Sequence, residues 1–299
     1  MKRFGQLIVV AFIAIILMPA AITIILGNNK QLESYTLMTQ EEEESKEKEH
    51  LSQEQLIGIV AKEISINYEE ETLKAQAIMS RSYIASTNNQ SLSYMSTDEM
   101  KKLWGNDYNR NYSKIKRAIE DTKGSIITYN NEPVQPVYHL QSAGVTQSPV
   151  DIWGLDVPYL ESVESEWDKI APDLIQEKTY SPQEMIDTIN KRYSTTVLQP
   201  YDLGTQIQII ERTQGGYVKS IQVGNQLISG DDFRKILDLR SSCLIMEYNN
   251  SQIKIITKGV GHGVGLSQYG ANQMAKDGKT AEEILKYYFP KTTIQKINK

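Results

Sequence analysis

The chain has one cysteine, Cys243, in 299 residues, which excludes an internal disulfide framework and any cysteine-rich zinc site. With no histidine near it in sequence, Cys243 reads as a small buried apolar residue, not a nucleophile. Histidine is nearly as scarce: His50, His139 and His262 are the whole supply. A zinc site takes three or four ligands, so scattered imidazoles predict no metal, and no other cofactor is expected. A basic excess is missing as well. The 32 Lys and Arg against 37 Asp and Glu leave a net charge of −5, which gives no footprint for nucleic acid. The one glycine-dense stretch, Gly259-Val-Gly-His-Gly-Val-Gly-Leu-Ser-Gln-Tyr-Gly-Ala271, fits neither phosphate-binding pattern. None of its glycines starts G-x-G-x-x-G, and Gly265-x-x-x-x-Gly270 is followed by Ala271-Asn272 in place of Lys-Ser/Thr. Internal repeats and βαβ alternation are also absent.

What is present begins at the N-terminus. Lys2-Arg3 precede an uncharged apolar run from Gln6 to Leu26, about the ~20 residues a bilayer span requires. The run continues past Ala20-Ala21 without a small-residue cleavage site, so it reads as an uncleaved anchor and not a signal peptide. The positive flank keeps residues 1–5 cytoplasmic, 6–26 span the membrane, and everything beyond lies outside it. Residues 27–50, with Glu41-Glu-Glu-Glu-Ser-Lys-Glu-Lys-Glu49, bury almost nothing and read as an acidic flexible linker. The folded region is 51–299.

Within it, Ser52-x-x-Gln55 is a capping box ahead of an apolar helix face at Leu56, Ile59 and Val60. A second helix follows, with Asn67 as its expected cap and Leu73, Ala77 and Ile84 on one face, where Arg81 needs a partner. Ser113 is read as opening a third helix that stops at Gly124. Hairpins are expected around Asn130-Asn131, Gly215-Gly216 and Asn249-Asn-Ser251. Leu140 to Pro158 reads as a long ordered loop without regular elements, and long loops in compact domains are usually functional. Helices begin at Ser181-Pro-Gln-Glu184 and Thr280-x-x-Glu283, Asp231–Leu239 reads as helical, and another helix follows the glycine loop. The fold class is therefore α+β: mixed helices and antiparallel hairpins forming an extracytoplasmic globular region behind one N-terminal transmembrane helix.

Six segments in order resemble the stage II sporulation protein D (SpoIID) family. They are Val60-Ala-Lys-Glu63; Leu73-Lys-Ala-Gln-Ala77 with Arg81-Ser-Tyr83; Tyr138-His139 with Ser142-Ala-Gly144; Val150-Asp-Ile-Trp-Gly154 with Pro158-Tyr159-Leu160; Leu239-Arg-Ser241; and Gly261 to Asn272. The resemblance spans about Leu51 to Lys296 and implies a cell-wall enzyme of spore formers. Such an enzyme is a lytic transglycosylase cutting denuded peptidoglycan glycan strands between MurNAc and GlcNAc during engulfment, leaving 1,6-anhydro-MurNAc ends. The resemblance implies SpoIIP and SpoIIM-like membrane proteins as partners, and the mother-cell membrane facing the septal or intermembrane space as the location. The family's catalytic Glu precedes Met-Pro and falls on Glu63, which here precedes Ile64-Ser65. Some relatives bind zinc near the Ser142 loop through added cysteines and histidines; here that loop offers only His139.

Glycosidases ordinarily need two carboxylates. A lytic transglycosylase manages with one, because the sugar's own C6 hydroxyl is the nucleophile. Glu63 is thus expected to donate a proton to the leaving oxygen and then accept one from that hydroxyl. The substrate-binding residues expected from the resemblance are Arg81, His139, Ser142, Tyr159, His262, Ser267, Gln268 and Tyr269, with Trp153 as a further sugar platform. Arg81 has a second reading, as an ion-pair partner of Glu63. The glycine loop also has two: a wall of the glycan cleft, or a tight strand-to-helix turn and nothing more. Two alternative functions stand beside the first. One is a non-catalytic peptidoglycan-binding amidase enhancer. The other is a two-carboxylate hydrolase using Asp151, Asp156 or Glu164 as second acid.

Overall fold

Ser52 starts the first helix, α1 (Gln53–Glu63), as its pattern requires: its hydroxyl accepts from the Gln55 N–H, and the Gln55 side chain accepts from the Ser52 N–H. The computed structural model describes residues 52–87, 93–193, 197–249 and 251–297. The expected cytoplasmic residues 1–5, the anchor at 6–26 and the linker at 27–50 lie outside them. Among the described residues no helix is long and apolar enough to cross a membrane.

Helix α2 (Glu70–Ser86) packs under α1, and its cap differs from expectation. The N-cap is Glu69 and carries no side-chain cap bond; its N–H is taken instead by the Asn272 carboxamide at 2.7 Å. Asn67 stays in the turn. Helices α3 (Thr97–Trp104) and α4 (Tyr108–Asp121) follow. The pattern around Ile115, Ala118 and Ile119 marks the buried half of α4 but begins the helix at Ser113, one and a half turns late, because its first turns contain no aliphatic residue.

Strands β1 (Ser125–Tyr129) and β2 (Glu132–Pro133) form the hairpin across Asn130-Asn131, both residues with positive φ as the turn requires. The second strand is much shorter than expected, because Pro133 and Pro136 lack the N–H groups a ladder needs. Strand β3 (Tyr138–His139) leaves the hairpin altogether and pairs in parallel elsewhere. The stretch read as loop throughout contains helix α5 (Pro149–Trp153), with Pro at its first turn and Gly154 in the left-handed region at its end.

Beyond a 3₁₀ turn (Glu166–Ile170) lies a second apolar core. Strand β4 (Ile175–Tyr180), helices α6 (Pro182–Asn190) and α7 (Leu203–Gln206), and strands β5 (Ile207–Arg212), β6 (Val218–Val223) and β7 (Gln226–Ser229) lead to α8 (Gly230–Ile236). Strands β8 (Leu244–Tyr248) and β9 (Ile253–Lys258) complete it. Two antiparallel sheets, β5-β6-β7 and β4-β9-β8, close over Ile189, Ile221, Phe233 and Ile255, all fully buried. β4 and β7 were not anticipated: β4 is exposed over most of its length, and β7 has only four residues. The helix read as Asp231–Leu239 ends at Ile236.

The chain then returns to the first core through strand β10 (Leu266–Ser267), helices α9 (Gln268–Lys276) and α10 (Ala281–Tyr288), and strand β11 (Thr293–Lys296). β11 joins the antiparallel sheet β11-β1-β2, and Ile78, Met79, Ile127, Val264, Ile284 and Phe289 are buried together there. The α+β class holds, with one parallel element: β10 pairs with β3, Leu266 opposite Tyr138 and Ser267 opposite His139.

Candidate active site

Glu63 is the last residue of α1, half-buried, with Ile64 turning the chain into extended backbone. Met-Pro is not needed to hold the following turn. Lys114 of α4 donates to the carbonyls of Ile66 and Tyr68 at 2.9 and 2.6 Å, and Asn272 of α9 takes the Glu69 N–H. Two groups grip Glu63 itself. The Tyr138 hydroxyl donates to carboxylate Oε2, and Gln268 Nε2 donates to the Glu63 backbone carbonyl at 2.8 Å. Gln268 also reaches the Gln76 carboxamide on α2 at 3.3 Å. Burial, and then the Glu63 carboxylate, push the Tyr138 phenol far above its ordinary range, so it stays protonated and keeps its proton for the Glu63 carboxylate.

The glycine loop explains its own composition. Gly259, Gly261, Gly263 and Gly265 all have φ between +73° and +103°, where a side chain would be strained. At Gly265 a Cβ would also collide with the Val137 carbonyl, so the close approach of β10 to β3 depends on that glycine. The loop's histidine and its neighbour have fixed tautomers. His262 Nδ1 accepts from the Val264 N–H at 3.1 Å, which puts the neutral ring's proton on Nε2. His139 Nδ1 lies 3.0 Å from the Val264 carbonyl and so carries the proton, while its buried Nε2 has no hydrogen-bond partner among the described residues. Burial pushes His139 down to about 3, with His262 adding to the effect; burial lowers His262 too. Both rings are therefore neutral in the fold at neutral pH. The Trp153 ring lies 5.4 Å from His262, and the residue is exposed.

Beneath the ribbon sits Asp168, which is fully buried. Its Oδ2 accepts from the Ser142 hydroxyl at 2.5 Å and the Ser142 N–H at 3.1 Å, and its Oδ1 from the Ser267 hydroxyl at 2.9 Å. One carboxylate thus ties the segment after β3 to the start of α9, where Ser267 is also the N-cap. Burial raises the Asp168 carboxyl above its ordinary range even though the three serines Ser142, Ser165 and Ser267 pull it down.

The structure gathers Glu63, His139, Ser142, His262, Ser267, Gln268 and Tyr269 around the β3–β10 ribbon, the last through its N–H to the Leu140 carbonyl. Within that group Ser142 and Ser267 are sealed and occupied with Asp168. Arg81 is elsewhere: its guanidinium donates to the carbonyls of Ile119, Thr122 and Ser125, closing the end of α4, and burial lowers it to about 10. Among the described residues no ion pair joins it to Glu63. Tyr159 accepts from the Gln135 N–H at 3.3 Å and packs 5.9 Å from the Tyr129 ring. Of the alternative second acids, Asp151 faces Lys219 at 3.7 Å, and Asp156 and Glu164 are exposed. Among the described residues no three His, Cys, Asp or Glu side chains converge as a metal site would need. Three functional residues escaped the sequence reading: Tyr138, Gln76 and Asp168. Tyr138 and Gln76 stood inside the quoted segments, but nothing in their spacing told that they meet Glu63 and Gln268. Asp168 stood outside the quoted segments, flanked by Trp167 and Lys169.

A family model described as "SpoIID: Stage II sporulation protein" matches residues 31–129, which include Glu63 and Arg81. A stage II sporulation protein D of Bacillus amyloliquefaciens is 36% identical over 254 residues, covering 79% of this chain and 72% of that protein. The protein of the same name from Bacillus subtilis (strain 168) is 34% identical over 259 residues, covering 81% and 74%. An amidase enhancer of Bacillus subtilis (strain 168) is 23% identical over 286 residues, covering 80% of this chain and 40% of that protein.

Proposed function

The chain belongs to the stage II sporulation protein D family, whose role lies in sporulation, and on that premise we propose that it is a peptidoglycan lytic transglycosylase. The observation that carries the reading is Glu63 at the rim of the ribbon, gripped by Tyr138 and Gln268, with a neutral tyrosine on its carboxylate and not a second carboxylate. Asp168, the carboxylate that touches the glycine loop, is sealed and cannot reach a substrate. That arrangement suits a reaction in which one group handles every proton. Glu63 gives its proton to the glycosidic oxygen as the bond from MurNAc C1 breaks, and GlcNAc leaves with a hydroxyl. The C6 hydroxyl of MurNAc then bonds to C1, and its proton returns to Glu63. No water is consumed, and the carboxyl ends as it began. The exposed Trp153 ring beside His262 offers the sugar an apolar face.

The proposed substrate is glycan freed of stem peptides. The proposed setting is the mother-cell membrane beside SpoIIP and SpoIIM-like proteins, the chain being held by the apolar run at 6–26. The test is product analysis with the full-length chain on denuded glycan. Anhydro ends from the wild type, lost in Glu63→Gln by a factor on the order of 10²–10⁴, are expected. Reducing ends would indicate a hydrolase with a second carboxylate. The likeness to an amidase enhancer favours one other reading, a non-catalytic binder, which a chain that binds glycan and releases nothing would establish.

A further inference from the structure

We propose that Tyr138 is the positioning residue that divides labour between the two oxygens of Glu63, holding Oε2 so that Oε1 alone meets the substrate. The inference rests on the acid–base reading of Glu63. Among the described residues Tyr138 is the carboxylate's one hydrogen-bond donor, and Oε1 has no protein partner. The neighbouring cation, Lys62, is turned to the Ser93 hydroxyl at 2.5 Å, and Arg81 is spent on carbonyls. A cation at Glu63 would favour the ionised form so strongly that the group would be a poor acid. A carboxyl without any partner would swing between rotamers and lose the alignment that proton transfer requires. A neutral hydroxyl lies between these extremes: it fixes the carboxyl's plane in both protonation states and steadies the charge left after the first transfer.

The ribbon's register places this hydroxyl. Tyr138 lies opposite Leu266, and Gln268 follows two residues later at the start of α9. One strand pair thus delivers both the donor to the Glu63 carboxylate and the donor to its backbone carbonyl. A slip of one residue would turn Tyr138 to the opposite face and break the first of these. Asp168 pins that register by bonding Ser142 beyond β3 and Ser267 in β10. Gln76 braces Gln268 from α2, so four elements fix one carboxylate.

The test compares full-length wild type, Tyr138→Phe and Glu63→Gln on denuded glycan. Tyr138→Phe is expected to lower kcat on the order of 10- to 100-fold, the range for losing a hydrogen bond to a charged group, with KM changed less than about threefold. Its products should still carry anhydro ends. The alkaline limb of its kcat profile should move to higher pH, because the lost bond favours the ionised carboxylate. A purely structural tyrosine would leave that limb in place. Independently of turnover, the Tyr138 hydroxyl proton resonance, identified by its absence in Tyr138→Phe, should move upfield in Glu63→Gln, where a neutral amide oxygen replaces the charged acceptor. Wild-type kcat in Tyr138→Phe, or a rise in KM alone, beside an inactive Glu63→Gln overturns this inference and leaves the reaction standing. Full activity of Glu63→Gln, in contrast, removes the acid–base reading on which it rests.

Discussion

Asp168→Asn is the sharpest probe of how the site is built. The carboxylate satisfies the Ser142 N–H, the Ser142 hydroxyl and the Ser267 hydroxyl, all at 3.1 Å or less and all out of reach of water. An asparagine of the same shape has one acceptor oxygen. The Ser142 N–H can only donate, so the amide oxygen must face Ser142 and the NH₂ must face Ser267. The Ser267 oxygen already accepts from the Gly270 N–H, and its own proton then has nowhere to go. One orphaned buried donor costs about 1–3 kcal/mol, and two bonds weakened from charged to neutral cost roughly 1 kcal/mol each. Relief of the buried charge offsets part of this, so a net loss of about 2–4 kcal/mol is expected out of a typical ~5–15. Urea unfolding of wild type and variant gives the number, and a cycle with Ser267→Ala should show coupling of at least about 1 kcal/mol. The pH dependence has a definite sign. Because burial lifts the Asp168 carboxyl, the folded chain takes up that proton before the unfolded chain does. Wild-type stability from this group is therefore present at low pH and lost as pH rises through the lifted value, so the variant's deficit should be larger on the acid side. A deficit below about 0.5 kcal/mol, the range of an ordinary surface change, would refute the view that Asp168 ties the ribbon together.

Local signals carried much of this fold into view. Ser52, Ser181 and Thr280 cap the helices their spacing marks, since a cap is decided within four residues. Glu63 was legible only through a resemblance, because a glutamate at a helix end has no local feature that separates it from solvated surface. What stayed hidden is long-range. Tyr138 meets Glu63 across 75 positions, Asp168 meets Ser267 across 99, and Gln268 meets Gln76 across 192. No periodicity encodes such pairings; they follow from the parallel β3–β10 ribbon, which is two residues long and invisible to an alternation pattern. Arg81 shows the converse. Its awkward place on an apolar face was visible, but the partners that resolve it are three backbone carbonyls, which sequence does not distinguish from any others.

Arg81→Lys should cost about 1–3 kcal/mol of stability in urea unfolding, since an ammonium cannot reach three carbonyls in the geometry of a planar guanidinium. Unchanged stability with weakened glycan binding would return Arg81 to the substrate. Gly265→Ala should lose at least about 1–3 kcal/mol from the left-handed φ of +73° alone, and more from the Val137 carbonyl, taking anhydro-end release down with it. A folded, fully active variant would show that the ribbon does not depend on that approach. His139→Asn tests the neutral imidazole, because the asparagine amide can still donate to the Val264 carbonyl as Nδ1 does. In the fold burial holds His139 down to about 3, whereas an unfolded histidine titrates near ~6.5. Between those values the unfolded chain binds the extra proton, so stability from this group is full above about 6.5 and falls as pH drops toward about 3. From pH 7 to pH 5 the wild type should lose about 2 kcal/mol through this residue, at ~1.4 kcal/mol per unit below the unfolded value. His262, lowered in the same direction, leaves the variant a residual slope of the same sign. Urea midpoints at the two pH values should therefore converge on acidification, the wild type approaching the variant. Parallel lines would mean that His139 takes its proton in the folded chain, and that the buried Nε2 faces a group able to receive it.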